Sequence, residues 1–338
     1  MMYVNTTGNM SLSEPNDTTD AAIEYYDVPE FTKFTSSCIL IGIIIFNVVV
    51  IILMFRKKKS RMGFFVTNLA IADLCVGLFY VFPVLLFDWF NVWWNEYFCY
   101  IYYAYFSYVA YYVSTYAIVV IAIDRMYVIV KPLAAGTKGK KYRYGLALSS
   151  WVLGLLLGIY AVMHVNYTVE NGGSQCRHEF PDGWVVVYYD LSFLLIIPLI
   201  IIIFCYVAII IVIYQRERYG VVVGKMDNHT THPNKKVITS AKIRTIKLLL
   251  VVVIAYVVCW TPIIIAAFMF HSGSLNINYN QEDTNIYYAL FVLAPLNSFA
   301  NPLVFLVFNR KMFKRKDKRR KHPTGTLISR TECVSLEQ

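Results

Sequence analysis

The sequence contains 338 residues, of which 58% are hydrophobic and only 15% are charged. Soluble domains carry about 25% charged residues, so this composition excludes a protein whose surface is mostly in contact with water. The net charge of +10 does not require a nucleic-acid partner, because the basic residues lie between long apolar stretches, where they act as topology signals and contacts to lipid headgroups.

Residues 1–34 are polar and acidic, and we predict that they form a disordered extracellular tail. No basic and apolar segment with a small-residue cleavage site precedes Met10, so we expect no cleaved signal peptide. Three N-x-S/T sequons begin at Asn5, Asn9 and Asn16. Because such sequons are glycosylated on extracellular segments, they favour an outward-facing, glycosylated tail.

Seven apolar stretches follow, each long enough to cross a bilayer as a helix of about 20 residues. The predicted spans one to seven are residues 35–55, 63–87, 98–130, 144–166, 184–214, 240–271 and 284–308. The predicted fold is therefore all-α: an integral membrane bundle of seven transmembrane helices over 35–308. A short amphipathic juxtamembrane helix is expected at 309–317, and a cytosolic tail at 318–338.

The distribution of basic residues predicts the orientation of the bundle. All Lys and Arg residues except Lys33 and Arg177 fall on one side of the predicted membrane. Because basic residues are concentrated in cytoplasmic segments, that side is predicted to be the cytosol. We expect a multi-pass plasma-membrane protein with an extracellular N-terminus and a cytosolic C-terminus.

Two of the seven cysteines are predicted to form a disulfide. Cys99 opens span three, and Cys176 lies midway along the loop between spans four and five. Both fall on the predicted outer side, where oxidising conditions permit a bridge. Such a bridge would hold the loop across the mouth of the bundle.

Asp73, in the middle of span two, is an ionisable group in a region where such groups are costly and usually functional. The carboxyl either simply protonates or belongs to a cation site. Oxygen-bearing side chains at compatible depth favour an allosteric sodium ion, since hard cations take oxygen ligands. These side chains are Asn47, Ser114, Asn297, Ser298 and Asn301. We expect no other metal and no cofactor.

Asp124 and Arg125 lie near the inner end of span three. The 26 residues from Cys99 to Arg125 cover about 39 Å of helix, so Arg125 reaches the cytosolic face. The pair is either an interfacial ion pair or a switch, in which Asp124 holds Arg125 at rest and releases it toward a partner protein on activation.

Prolines interrupt several predicted spans and free backbone carbonyl groups there. They are Pro83, Pro198, Pro262 and Pro302. They are either tolerated kinks or pivots. In the second interpretation, the inner half of span six swings outward about Pro262.

These features together resemble the rhodopsin-like (class A) G-protein-coupled receptors, from Phe34 to Lys316. The motifs that carry the resemblance are Asn47, Leu69-Ala-Ile-Ala-Asp73, Asp124-Arg125-Met126, Trp151, Pro198 with Tyr206, Cys259-Trp260-Thr261-Pro262 and Asn301-Pro302-Leu303-Val304-Phe305. The resemblance implies signalling to a heterotrimeric G protein, with arrestin and a receptor kinase as further partners. It assigns the activation switch and G-protein coupling to Asp124, Arg125, Tyr206, Trp260, Pro262, Asn301, Pro302 and Phe305.

Two segments are similar to the vasopressin/oxytocin, neuropeptide S and crustacean cardioactive peptide receptors. They run from Ser60 to Leu69 and from Ser240 to Leu248. This similarity implies a neuropeptide-like ligand and coupling through Gq to calcium.

The predicted ligand pocket is aromatic, and the acidic outer segments favour a basic or amidated peptide. No acidic residue between Cys99 and Asp124 provides the ammonium anchor of aminergic receptors, and span seven has no lysine for retinal. The expected ligand contacts are Asp88, Tyr108, Tyr111, Tyr112, Trp260, Tyr287 and Phe291.

Three departures from the family pattern bear on function. Span three is one residue longer than usual between Cys99 and Arg125, so a shift or bulge is expected above Ser114. Tyr256 replaces a phenylalanine, and Phe305 replaces the final tyrosine of the NPxxY motif, which removes a hydroxyl that joins a water-mediated contact to Tyr206.

Two other functions fit parts of the sequence. Phe305 is compatible with a seven-helix receptor that is constitutively active or only binds its ligand. A transporter or light-driven pump would be expected to show inverted repeats and paired broken helices, which we do not find. The sequence shows no nucleophile–base pair, metal-ligand cluster or phosphate-binding glycine loop, so we expect no enzymatic activity.

Overall fold

A computed structural model describes residues 28–56, 60–90, 95–137, 139–170, 173–178, 183–226, 233–274, 285–286, 289–290 and 292–308. The described chain is almost entirely helical, as predicted. Six of its helices are long and apolar enough to cross a membrane, and a shorter apolar helix lies near its end. The N-terminal sequons, Tyr287, Phe291, the predicted juxtamembrane helix and the tail lie outside these residues.

Seven main helices, α1 to α7, form the bundle. They are α1 Glu30–Phe55, α2 Arg61–Phe90, α3 Phe98–Val130, α4 Lys140–Val162, α5, α6 Pro233–His271 and α7 Leu293–Phe308. Helix α5 is continuous through the segments Gly183–Asp190, Leu191–Ile196 and Ile197–Met226. A short helix, Pro132–Thr137, connects α3 and α4.

The predicted start of span one at residue 35 is too late, because α1 begins at Glu30. Glu30 stabilises the first turn of the helix, where a carboxylate interacts favourably with the helix dipole. Lys33 Nζ lies 3.1 Å from Glu30 Oε1 and 5.9 Å from the centre of the Trp89 ring of α2. The polar residues that end the predicted tail therefore belong to a helix that is docked on its neighbour.

The ends of spans four and six also differ from the prediction. Helix α4 ends at Val162, before the predicted end at 166, because the chain turns at Met163 and His164 and enters a strand. Helix α6 begins at Pro233. The first N–H groups of a helix have no acceptor within the helix, so the absence of an N–H in proline costs no hydrogen bond there.

The loop between α4 and α5 forms a β-hairpin that the sequence analysis did not predict. Strand β1, Val165–Glu170, pairs antiparallel with strand β2, Gly173–His178, and Tyr167 lies opposite Cys176. The dipeptide Asn171-Gly172 between the strands is the strongest short hairpin signal in a sequence, so the information was present.

Wide π-helical turns precede two of the prolines. Gly77–Val81 lies just before Pro83, and Leu191–Ile196 just before Pro198. A proline ring clashes with the carbonyl group four residues earlier, and in both helices that carbonyl lies inside the π segment. The wider turn moves the carbonyl away from the ring, so each helix continues past its proline.

A third π segment, Phe98–Tyr105, occupies the outer end of α3. It accommodates one additional residue, and it lies above Ser114. The predicted bulge in the longer third span is thus confirmed.

Helix α3 is the most buried helix and lies at the centre of the bundle. Gly154 and Gly158 of α4 allow the two backbones to approach closely. A Cβ atom at Gly158 would lie 2.6 Å from Val109 Cγ2, and one at Gly154 would clash with Val113. Small residues serve this purpose between transmembrane helices.

Large apolar side chains cover the outside of the bundle, as in Ile41 of α1, Leu156 of α4 and Ile200 of α5, each about three-fifths exposed. Such a surface is unfavourable in water and suits the hydrocarbon of a bilayer. The structure thus describes a multi-pass membrane protein.

Candidate functional site

A chamber opens between α2, α3, α5, α6 and α7 in the half of the bundle that carries the β-hairpin. It encloses about 610 Å³, part of which is open to solvent. Its lining residues are mostly apolar and aromatic, and they are Tyr80, Tyr108, Tyr111, Val187, Asp190, Leu194, Trp260, Ile263, Ile264, Ala267 and Ala294. An apolar and aromatic wall with a few polar groups is characteristic of ligand pockets.

The structure brings together only part of the predicted ligand contacts. Tyr108, Tyr111 and Trp260 line the chamber. Tyr112 is fully buried behind the wall. Asp88 does not line the chamber, and its carboxylate interacts electrostatically with Lys33 of α1.

Asp190 lines the chamber, although the sequence analysis did not assign it a function. Its Oδ1 accepts a hydrogen bond from the Tyr112 hydroxyl at 3.2 Å. The signal was available, since Asp190 is an acidic residue inside the fifth predicted span, where a charge is expected to have a function.

The β-hairpin is fixed to the outer end of α3 at two points. The predicted disulfide joins Cys99 to Cys176, with 5.7 Å between the Cα atoms, and this prediction is confirmed. The backbone N–H of Tyr167 also donates to the Tyr100 hydroxyl at 3.3 Å. Helix α3, which contributes Tyr108 and Tyr111 to the chamber wall, therefore also holds the hairpin beside the chamber.

Trp260 forms the floor of the chamber and contacts Tyr111 edge-on, with 5.1 Å between ring centroids. Tyr111 in turn packs against Tyr80 at 4.8 Å. Trp260 is buried and lies two residues before Pro262, which is inside α6. A ligand that displaces the Trp260 ring would therefore act on α6 close to Pro262, where the helix lacks a backbone hydrogen bond.

A buried polar cluster surrounds Asp73 at the middle of the bundle. The Ser114 hydroxyl donates to Asp73 Oδ1 at 2.6 Å, and Asn301 Nδ2 donates to Oδ2 at 3.1 Å. Asn47 Nδ2 donates to the backbone carbonyl of Ser298 at 3.1 Å. Asn297, the remaining residue of the predicted set, is buried in α7 next to Ser298 in the chain.

Several oxygens of this cluster are buried without a hydrogen-bond partner among the described residues. They are the side-chain carbonyl oxygens of Asn47, Asn297 and Asn301. Asp73, Asn47 and Asn301 also line a cavity of about 430 Å³, part of which is open to solvent. One carboxylate, one hydroxyl and several unsatisfied amide oxygens are the donor set that a hard cation prefers, so these residues fit a sodium ion.

At the opposite end of the bundle, Asp124 binds two arginines. Its Oδ2 lies 2.5 Å from an Arg125 guanidinium nitrogen, and its Oδ1 lies 2.6 Å from an Arg61 guanidinium nitrogen. Arg61 also donates to the backbone carbonyl of Ala135 at 2.9 Å. Because Asp124 is fully buried, the charge of one carboxylate restrains Arg125 and ties the start of α2 to the end of α3.

The role of Arg61 was not predicted. In the sequence, Arg61 resembles the other basic loop residues that determine topology, but in the structure it is the first residue of α2. Its partner is 63 positions away in the chain, and no local pattern links the two residues.

The Tyr206 hydroxyl of α5 is buried and has no hydrogen-bond partner within the described part of the chain. Phe305 of α7 is buried and lines the cavity near Asp73. A phenylalanine ring cannot donate or accept the hydrogen bond that a tyrosine would offer at this position.

Comparison with known proteins agrees with this arrangement. Residues 46–305 match the sequence profile described as 7 transmembrane receptor (rhodopsin family). The chain is 30% identical to the mesotocin receptor of Rhinella marina over 290 residues, which is 82% of the chain and 70% of that receptor. It is 30% identical to the neuropeptide S receptor of Homo sapiens over 298 residues, covering 83% and 77% of the two chains. It is 27% identical to cephalotocin receptor 2 of Octopus vulgaris over 329 residues, covering 89% and 75%.

Proposed function

Because the chain belongs to the rhodopsin family of seven-transmembrane receptors, we propose that it is a plasma-membrane receptor that signals the binding of an extracellular neuropeptide-like ligand to a heterotrimeric G protein. Membership in this family makes it a receptor rather than an enzyme. The similar proteins that are named as receptors for mesotocin, neuropeptide S and cephalotocin support a peptide ligand. We also propose coupling through Gq to calcium.

The proposal rests mainly on helix α3, which contacts the floor of the chamber, the Asp73 cluster and the Asp124 ion pair. Trp260 at the chamber floor touches Tyr111 of α3. The same helix carries Ser114 on the Asp73 cluster and Arg125 in the pair with Asp124. Helix α3 therefore connects the chamber with the inner end of the bundle, and a movement of this helix would affect both.

In the proposed mechanism, the ligand presses on Trp260 and the inner half of α6 swings outward. Pro262 permits this motion because it lacks the N–H that would bind the preceding turn. Arg125 then leaves Asp124 and contacts a helix of the G protein. Asp124 also binds Arg61, so the two arginines share the charge of one carboxylate. This sharing weakens the hold of Asp124 on Arg125 and makes its release easier.

The proposed orientation places the N-terminus outside the cell and the C-terminus in the cytosol. The Cys99–Cys176 disulfide supports it, because such bonds persist in oxidising compartments. The same orientation exposes Asn5, Asn9 and Asn16 to glycosylation. Arrestin, a receptor kinase and membrane lipids are proposed as further partners on the cytosolic side.

We propose that sodium is an allosteric ligand of the Asp73 cluster. Asp73, Ser114 and the amide oxygens of Asn297 and Asn301 would hold the ion, and Ser298 and Asn47 would support them. Bound sodium supplies a positive charge that neutralises Asp73 without a proton. It would favour the resting bundle, in which Asp73 already joins α2, α3 and α7.

Replacing Asp73 by asparagine is expected to remove the effect of sodium on agonist affinity. In the wild type, agonist binding should be about tenfold weaker in sodium than in N-methylglucamine at the same ionic strength, which is within the usual range of allosteric coupling. Asp73→Asn lacks the charge that attracts the ion, so its two affinities should be equal. Equal affinities in the wild type, or an unchanged difference in Asp73→Asn, would contradict the sodium site.

Replacing Phe305 by tyrosine is expected to increase G-protein activation. The new hydroxyl can form a water-mediated contact to Tyr206, and one such hydrogen bond contributes about 1 kcal/mol, or roughly fivefold in an equilibrium. Calcium release should therefore rise at equal surface expression. The gain should be absent from Phe305→Leu and from Phe305→Tyr in a Tyr206→Phe background. A gain that persists without the Tyr206 hydroxyl would exclude this explanation.

The proposed function is tested by a screen of amidated neuropeptides on cells that express the receptor with each class of G protein. We expect at least one peptide to release calcium through Gq, with little change in cyclic AMP. High calcium release without any peptide would favour the constitutive alternative that Phe305 suggested. A peptide that binds but activates no G protein would favour a binding-only receptor.

A further inference from the structure

We propose that Asp190 is the anchor for a positively charged group of the ligand, preferably a guanidinium group, next to an aromatic or aliphatic residue of the same peptide. This inference rests on the proposed function, because it specifies the chemistry of the ligand in the chamber. It extends the prediction of a basic peptide from the outer segments to a single carboxylate inside the bundle.

The charge of the chamber wall is the first observation. Asp190 is the one acidic residue among the described lining residues, and none of them is Lys, Arg or His. The remainder of the wall is apolar or tyrosine and tryptophan. Because apolar walls keep the local dielectric constant low, the field of a single carboxylate is stronger there than at an exposed surface.

The position of Asp190 on α5 is the second observation. Val187, Asp190 and Leu194 are spaced by three and four residues, so they lie on one face of the helix, and all three line the chamber. Asp190 is the last residue before the π segment Leu191–Ile196. The carboxylate is therefore part of the regular inner face of α5.

The third observation is that α3 orients the carboxylate. The fully buried Tyr112 donates its hydroxyl to Asp190 Oδ1 at 3.2 Å. This bond orients the side chain, and a cation from the ligand would add a charge-assisted hydrogen bond and a Coulomb attraction. A guanidinium group is preferred because its planar array of donors can bind a carboxylate through two bonds.

The aromatic residues of the same chamber suit the remainder of the ligand. Tyr108, Tyr111 and Trp260 line the wall and floor. Aromatic faces attract cations and pack against apolar groups. The neighbour of the charged residue in the peptide would thus lie toward Trp260, where the proposed mechanism requires the ligand to press.

The first test compares three dipeptide probes on the purified full-length receptor in lipid nanodiscs. The probes are acetyl-Phe-Arg-amide, its neutral citrulline analogue and acetyl-Phe-Glu-amide. A ligand that binds the folded protein raises its unfolding temperature. The arginine probe should bind at millimolar concentration and about 10- to 100-fold more tightly than the citrulline probe, since hydrogen bonds to charged groups contribute about 1.5–3 kcal/mol. The glutamate probe should bind most weakly. Equal binding of the three probes, or no binding of the arginine probe, would overturn the inference.

Two variants test whether the preference for the arginine probe over the citrulline probe depends on the Asp190 carboxylate. Asp190→Asn keeps the size of the side chain and removes its charge, so the arginine and citrulline probes should bind it equally. Asp88→Asn is the matched control, because it removes a carboxylate at the outer end of α2 that does not line the chamber, and it should keep the discrimination. A preference for arginine that survives in Asp190→Asn would overturn the inference.

Nucleotide exchange on purified G protein separates this inference from the proposed function. A full-length activating peptide from the neuropeptide screen should lose potency in Asp190→Asn but not in Asp88→Asn. Probe discrimination that depends on Asp190, without exchange on any G protein, would support the anchor and contradict the proposed function. Exchange that is unaffected by Asp190→Asn would support the function and contradict the anchor.

Discussion

Replacing Arg125 by alanine is expected to abolish ligand-stimulated G-protein activation and to leave peptide binding nearly unchanged. Arg125 lies at the inner end of α3, beside Asp124 and far from the chamber in which Tyr108 and Trp260 lie. It is the group that the mechanism delivers to the G protein. Loss of its charge-assisted hydrogen bonds, at about 1.5–3 kcal/mol each, should lower nucleotide exchange at least 100-fold.

The measurement is nucleotide exchange on purified G protein, together with peptide affinity on the same membranes. Asp124→Asn provides the opposite control, because it removes the charge that restrains Arg125 and should raise ligand-independent exchange. A gain in Asp124→Asn with a loss in Arg125→Ala identifies Arg125 as the released group. Undiminished exchange in Arg125→Ala would exclude it.

The second large effect is expected for Cys176→Ser. The disulfide closes a 77-residue separation between Cys99 and Cys176, and loss of a native disulfide typically costs about 2–5 kcal/mol. The hairpin would then be held to α3 by the bond between Tyr167 and Tyr100. Surface expression and peptide affinity should both fall, by tenfold or more on this scale of free energy.

Comparison of the single and double variants separates loss of the bond from loss of a side chain. Cys99→Ser, Cys176→Ser and the double variant should have similar effects, because each removes the same bond. Cys38→Ser makes the same change at an exposed, unbridged cysteine of α1 and should have little effect. Additive losses in the double variant would show that the cysteines act separately.

Much of the fold followed from composition, because a bilayer forces each crossing to satisfy its own backbone hydrogen bonds. Long apolar stretches therefore become helices whatever their detailed sequence. The helix ends were predicted less well. Glu30 and Pro233 begin helices outside the predicted spans, since polar residues at the membrane boundary can continue a helix without being apolar.

Site residues could be predicted where the residue type was unusual at its own position in the sequence. They were missed where only contact with a distant residue indicates their role. Asp73 and the Asp124–Arg125 pair were recognised because an ionisable group in an apolar helix is unusual on its own. Arg61 has the same residue type as the topology-determining bases around it, and only the fold brings it to Asp124. Asp190 carried a local signal that was overlooked.

The different roles of the two ends of the bundle depend on one orientation in the membrane, with the chamber outside and Arg125 inside. The most direct test is an epitope tag placed before Met1 and a second tag after Gln338, each detected by antibody on intact and on permeabilised cells. We predict that the first tag is labelled on intact cells and the second only after permeabilisation. Labelling of the second tag alone on intact cells would place the chamber in the cytosol and contradict the proposed function.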